Sequence, residues 1–492
     1  MKRFPALSLA GVLACASGLP SGCSQQNAPA PTTYSQEVLL DPETCAQCHS
    51  DHYVEWSGSM HAYASDDPVF LAMNARGQRE THGALGSFCV NCHAPMAVQQ
   101  GATTDGLNLA TIPQKLKGVT CFFCHTIDAV TGTHNAAVSL AGDLVMRGEY
   151  SNPIPNVAHA SSSDALHDGS QIQSAGLCGA CHDVVSPAGA DIERTYAEWG
   201  SSAYAQASGG STCDQCHMPE STTAMPIAQV ANAPPRITHG HDFPAVDGAL
   251  SPGFPNAAAE SAAVAQFLGT SLQSALCVTQ LGAVRVLLDN VAAGHFWPSG
   301  AAQDRRAWAE VIASQAGSVI YQSGVVPDGT PVTSLTNDPD LWLLRDCMFD
   351  NETPPAQVDM FWQAASTQGN ELPAQLTFDA TDPRYYQTHV VQYFPRAPSA
   401  TLPAMPDQVT LRVRLQPIGL DVLNDLVATG DLDASVPAEM PTYDVLPLLT
   451  WTASAATLTY DENDVLVSCV SATAFNVGAT KNPAVDHTLC SP

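Results

Sequence analysis

Five short stretches of the chain combine thiols and an imidazole at one fixed spacing. They are Cys45–His49, Cys89–His93, Cys121–His125, Cys178–His182 and Cys213–His217, and each reads CxxCH. Residues three and four apart share one face of a helical turn. Each motif therefore presents two thiols and a ring nitrogen to the same side. The chemistry this set suits is the attachment of haem: the thiols add across the two vinyl groups, and the histidine becomes the proximal iron ligand. A zinc site needs four ligands and does not explain a histidine after every pair. The spacing predicts five covalently bound haem c groups. They would be attached through Cys45, Cys48, Cys89, Cys92, Cys121, Cys124, Cys178, Cys181, Cys213 and Cys216, with iron held by His49, His93, His125, His182 and His217.

Six-coordinate irons would need five further ligands. The chain has 16 histidines, eleven of them outside the motifs. All eleven stay open as candidates: His52, His61, His82, His134, His159, His167, His239, His241, His295, His389 and His487. Two histidine ligands hold a haem potential low, whereas a methionine ligand raises it. The order of residues does not pair these histidines with motifs.

The elements that must position the motifs are irregularly spaced. Motif starts lie 44, 32, 57 and 35 residues apart, which excludes a simple array. A weaker repeat is present all the same. Tyr53–Ser59 and Tyr196–Ser202 both read Y-x-E-W-x-x-S, and both predict short helices. Each tryptophan can pack on a porphyrin while its N–H finds a polar partner. The first copy continues to His61. The second has Tyr204 at that place, which predicts that it keeps the packing role without the ligand.

The stretches Cys45–Ala62, Phe88–Pro95, Gly118–Asn135, Leu177–Pro187, Thr195–Ala205 and Cys213–Pro219 resemble the multihaem c-type cytochromes related to the nitrifiers' tetrahaem cytochrome and to hydroxylamine oxidoreductase. The resemblance covers most of residues 41–245. It implies that His61, at the end of W-x-x-S-x-H, is a distal ligand. It implies the same of His134, His159 and His167, and of His241 in its H-x-F ending. The chain departs from the enzymes of that group. No motif carries the lysine of the pentahaem nitrite reductases, and no tyrosine matches the haem cross-link of hydroxylamine oxidoreductase. Both departures weigh against catalysis.

A length of 492 residues allows two or three domains. The net charge of −29 is spread over both halves and repels nucleic acid and anionic lipid headgroups. At the N-terminus, Lys2 and Arg3 precede an apolar run from Ala6 to Leu19, which reads as a signal peptide over residues 1–22. Pro20–Cys23 resembles a lipobox, with Cys23 lipidated and residues 23–40 as a tether. Four cysteines remain in the second half: Cys277, Cys347, Cys469 and Cys490. Disulfides are their default in an exported protein, and three pairings are open.

Ser251–Pro255 reads as a linker. Beyond it come β-branched runs, of which Val409–Leu415 alternates as a half-buried strand should. Leu420–Leu432 reads as a helix. Ala293–Gly300 resembles an element of β-domains fused to multihaem cytochromes, and its His295 either ligates the last haem or caps a turn. The expected fold class is α+β multidomain: a mainly α/irregular multihaem cytochrome domain over residues 41–250, then an antiparallel β-sandwich over 256–492. The expected role is electron transfer along closely packed, mostly bis-His haems. The chain would be exported to the periplasm or cell surface, anchored to the outer membrane through lipid at Cys23. Its partners would be redox proteins of the envelope, with no nucleic acid. The alternative is an oxidoreductase with one open-site haem, acting on a small nitrogen or sulfur compound.

Overall fold

The computed structural model describes residues 33–206, 209–396, 401–455, 458–461, 465–471, 482–484 and 490. The expected signal peptide, Cys15, Cys23 and His487 lie outside these residues. The tether is shorter than expected at its C-terminal end. Gln36–Leu39 is helical, and Leu39 and Leu40 are 4% and 2% exposed, because both join the apolar cluster around Phe70, Phe122 and Phe123.

The motif-bearing half consists of short helices and two-stranded ribbons. The motifs themselves nucleate helical turns. The His49, His93 and His182 amides donate to the carbonyls of Cys45, Cys89 and Cys178, each four residues back. Local caps fix where several of these turns start. Asp41 caps Pro42–Ala46, with Pro42 at the first helical position, where its missing N–H costs nothing. Thr120 caps Cys121–Thr126. Thr212 and Gln215 form a reciprocal capping box over Cys213–His217. The longest helix of this half, Pro68–Glu80, is capped by Asp67. It sets Phe70 against His93 and its opposite face, through Val69 and Ala72, against Leu420, Leu423 and Leu426.

The second half is a sandwich of two six-stranded sheets, as expected, preceded by a helix that the strand-rich pattern does not suggest, Ala257–Ser271. One sheet centres on Leu272–Thr279, Val284–Asn290 and His389–Phe394. The other centres on Arg306–Gln315 and Gln408–Gln416, paired antiparallel from Arg306↔Gln416 to Ser314↔Gln408. Gln408–Gln416 alternates: Val409, Leu411, Val413 and Leu415 point into the core. Val284–Asn290 is buried throughout because both of its faces are covered. Val284, Val286 and Leu288 enter the inter-sheet core, while Leu287 packs with Ala275 and Val391 on the other side. Leu420–Ala428 is the expected helix, somewhat shorter. The four remaining cysteines pair as Cys277–Cys469, across neighbouring strands, and Cys347–Cys490. No helix among the described residues is long and apolar enough to cross a membrane.

The halves are joined by specific contacts rather than by the linker alone. Trp362 donates to Glu80, Ser186 to the Ala364 carbonyl, Tyr204 to the Val291 carbonyl, and the Ala203 amide to the Gln375 carbonyl. Arg76 and Arg79 pair with Asp425 and Asp431.

Candidate haem-binding site

All ten motif cysteines and all five motif histidines line one continuous cavity of about 1290 Å³. Its walls include Phe70, Phe122, Phe123, Ile127, Leu177, Phe243 and Phe267. The ten motif cysteines are free, whereas the four cysteines of the second half form disulfides.

The motif imidazoles are set up as metal ligands. Nδ1 of His49, His93, His125 and His217 donates to the carbonyls of Ile227, Ala64, Arg147 and Pro244, at 3.0, 3.0, 2.6 and 2.8 Å. A carbonyl can only accept, so the ring proton sits on Nδ1 and Nε2 carries the lone pair. Metal-bound histidines are oriented in this way. Burial, the largest cause in each case, lowers the affinity of these rings for a proton. It takes His125 and His182 down to about 4 and lowers His49, His93 and His217 as well. All are neutral at pH 7, the state in which imidazole binds metal. The walls, thiols and rings therefore fit haem c, which would supply an iron that cycles between ferric and ferrous.

The motifs adjoin in a definite order. The Cys45 thiol contacts Cys121, Cys92 contacts Cys181, and Cys178 contacts Cys213. Cys124 is an electrostatic neighbour of Cys181 and Cys178. The first motif therefore meets the third, the third meets the fourth, and the fourth meets both the second and the fifth.

The distal candidates separate by position. An imidazole nitrogen sits about 2 Å from a metal it binds, so two rings sharing one metal have centroids roughly 6 Å apart. His61 lies 6.1 Å from His182, His159 lies 6.3 Å from His49, and His167 and His241 lie 6.1 and 6.5 Å from His125. His167 has both ring nitrogens engaged, by Asp164 and by the Cys124 carbonyl. His241 has Nδ1 on the His239 carbonyl and Nε2 without a partner among the described residues. Burial takes His61 and His241 down to about 3. His134 is not brought to the cavity; it stands exposed on its turn, although Asn135 beside it reaches the wall. His82 is likewise exposed and away from the cavity. No histidine ring is paired with His93 among the described residues; Phe70 is stacked on the face of that ring, parallel at 4.1 Å.

The Y-x-E-W-x-x-S repeat is structural. Trp56 donates to the Val119 carbonyl, two residues before Cys121. Trp199 donates to the Ser211 carbonyl, two residues before Cys213. Each tryptophan thus pegs the motif that adjoins its own. Ser59 and Ser202 donate to the Trp56 and Trp199 carbonyls and accept from the Ala62 and Tyr204 amides. The carbonyls that orient the motif rings had no signature in the sequence, because any residue type supplies one. Glu55 was legible in the repeat, but its role was not: it accepts from the His241 amide at 3.0 Å.

Residues 44–126 match the family described as cytochrome c554 and c-prime. No curated protein matches the chain. Among solved structures, the chain is similar in fold to a penta-heme cytochrome c552 from Thermochromatium tepidum. The TM-score is 0.54 at 19% identity, over 84% of this chain and 98% of that one. The five motifs in one cavity, the matched segment and the shared fold together support a multihaem c-type cytochrome with covalently bound haem c.

Proposed function

We propose that the chain is an exported pentahaem electron carrier whose haems are mostly ligated by two histidines. The observation that carries this reading is the set of paired imidazoles across one cavity, His49 with His159, His125 with His241 and His182 with His61. In each pair one ring belongs to a motif and the other comes from a distant segment. Electrons would follow the contact order of the motifs, from the first through the third to the fourth, with branches to the second and fifth. The chain's part is to hold the rings neutral and oriented and to keep the cluster dry. Two histidine ligands per iron would hold the potentials low. His134, exposed on its turn, is left out of this ligand set. Two disulfides in the second half support an oxidising compartment, in keeping with export and with a lipid anchor at Cys23. Redox proteins of the envelope are the proposed partners. Kinship with the nitrifiers' cytochromes belongs to this proposal; the matched 44–126 segment supports its c-type cytochrome part.

A second reading is favoured by His93. No second imidazole is paired with that ring among the described residues, so the second motif is a place where an iron could keep an open site and act on a small nitrogen or sulfur compound. Electron paramagnetic resonance of the ferric full-length protein separates the two readings. The carrier reading expects low-spin signals for at least three haems and no turnover of hydroxylamine, nitrite or sulfite. A single high-spin signal together with turnover of one of these would move the assignment to an oxidoreductase.

A further inference from the structure

The two halves of the cavity repeat one construction, and the repeat points to a ligand that comes from the sandwich. In the first unit, the helix after motif one carries Trp56, which pegs motif three, and Glu55, which accepts the His241 amide at 3.0 Å. His241 faces His125 of motif three across 6.5 Å. In the second unit, the helix after motif four carries Trp199, which pegs motif five, and Glu198. Glu198 accepts the Phe296 amide at 3.1 Å and the Ser299 hydroxyl at 2.6 Å. The residue next to Phe296 is His295.

We propose that His295, presented by the sandwich loop 293–300 and positioned by Glu198, is the axial ligand opposite His217 of the fifth motif. The inference rests on the reading that the motifs carry haem c. His295 lines the cavity. Its Nδ1 donates to the Phe296 carbonyl at 2.7 Å, which leaves Nε2 with the lone pair and without a partner among the described residues. His241 shows the same arrangement. Burial takes His295 down to about 4, and His217, Arg305 and His182 all lie near enough to bear on it.

The loop is built to hold one position. Asn290 donates to the His295 carbonyl at 2.7 Å, and Trp297 exchanges both backbone hydrogen bonds with Leu372. Gly294, at φ +75°, lies against the Tyr204 ring, and the Tyr204 hydroxyl donates to Val291 at 3.0 Å. Tyr204 is the residue that stands where the first unit has His61. Lacking that histidine, the second unit takes in a loop from the other half of the chain.

The test uses the full-length holoprotein. Pyridine haemochrome first counts haems in wild type and in His295→Ala; five in both keeps the underlying reading. Ferric electron paramagnetic resonance then reads the ligand. The expected result is that His295→Ala converts one haem from low spin to high spin, and that added imidazole restores the low-spin signal. His295→Met guards against a folding failure; it should remain low-spin with one haem shifted to higher potential. Unchanged spin states and potentials in both variants would overturn the proposal. A haem count below five in the wild type would instead sink the reading on which it rests.

Discussion

The unit built on motifs one and three and the unit built on motifs four and five use the same parts, yet they end differently. Both have a tryptophan donating to the backbone two residues before the adjoining motif, and both have a serine closing the helix. The first then runs on to His61, which crosses to His182 of the other unit. The second ends at Tyr204, whose hydroxyl anchors the sandwich loop. The duplicated scaffold therefore fixes where motifs sit, while in the proposed ligand set His61 of one unit serves a motif of the other.

The comparison can be broken most severely at the motifs. Cys121→Ala with Cys124→Ala in the first unit, or Cys213→Ala with Cys216→Ala in the second, should each leave four haems per chain by pyridine haemochrome. Retention of five would mean that the motifs are not the attachment sites. The tryptophan pegs come next. Trp199→Ala should destabilise by about 3 kcal/mol or more, the range for a large buried ring, since Trp199 is 8% exposed. Trp56, only half-buried, should cost less. Denaturant unfolding of both variants checks this, and an effect at one peg alone would show that the units are not equivalent. Ser59→Ala and Ser202→Ala should each cost about 1 kcal/mol, the usual value of a helix cap.

The smallest effect concerns the helix that closes the second unit, Ala257–Ser271, whose Phe267 contacts His217. On it, burial first and then Asp242 push Glu260 up to about 7, and its Oε1 has no partner. A carboxyl raised in the folded state costs stability wherever it is ionised in both states, above about pH 7. It costs nothing below its unfolded value, near 4.5. Glu260→Gln should therefore be more stable than wild type above pH 7, and equal to it below 4.5. Thermal melts across that range read the difference, and a gain that grows towards acid pH would contradict the assignment.

Much of this was legible in the sequence where the chemistry is local. Two thiols and an imidazole within five residues carry their chemistry locally, so the motifs could be read directly; their caps, Asp41, Thr120 and Thr212, came only with the structure. The Y-x-E-W repeat was legible too, and so was the alternation of Val409–Leu415. What was not legible depends on segments distant in sequence. His134 and His159 look alike in the chain, but only His159 reaches the cavity, because the turn at 133–135 points outward. His167 and His241 both approach His125 and differ only in what their ring nitrogens already bind. The Ala-rich run at 257–271 does carry a helix signal. The strand pattern that follows it does not reveal that this helix closes the cavity. Cys277 and Cys469 could be paired only once their strands were in register.

The central claim is that haems are ligated across units, and His61 tests it most directly. It stands on the helix Met60–Tyr63 of the first unit, with its ring against Phe243, yet faces His182 of the fourth motif. Ferric electron paramagnetic resonance of full-length His61→Ala, compared with wild type at equal haem content, should show one haem converted from low to high spin. That haem should be the one lost when Cys178 and Cys181 are also replaced by alanine. A spectrum identical to wild type, or a converted haem that survives removal of motif four, would contradict the account.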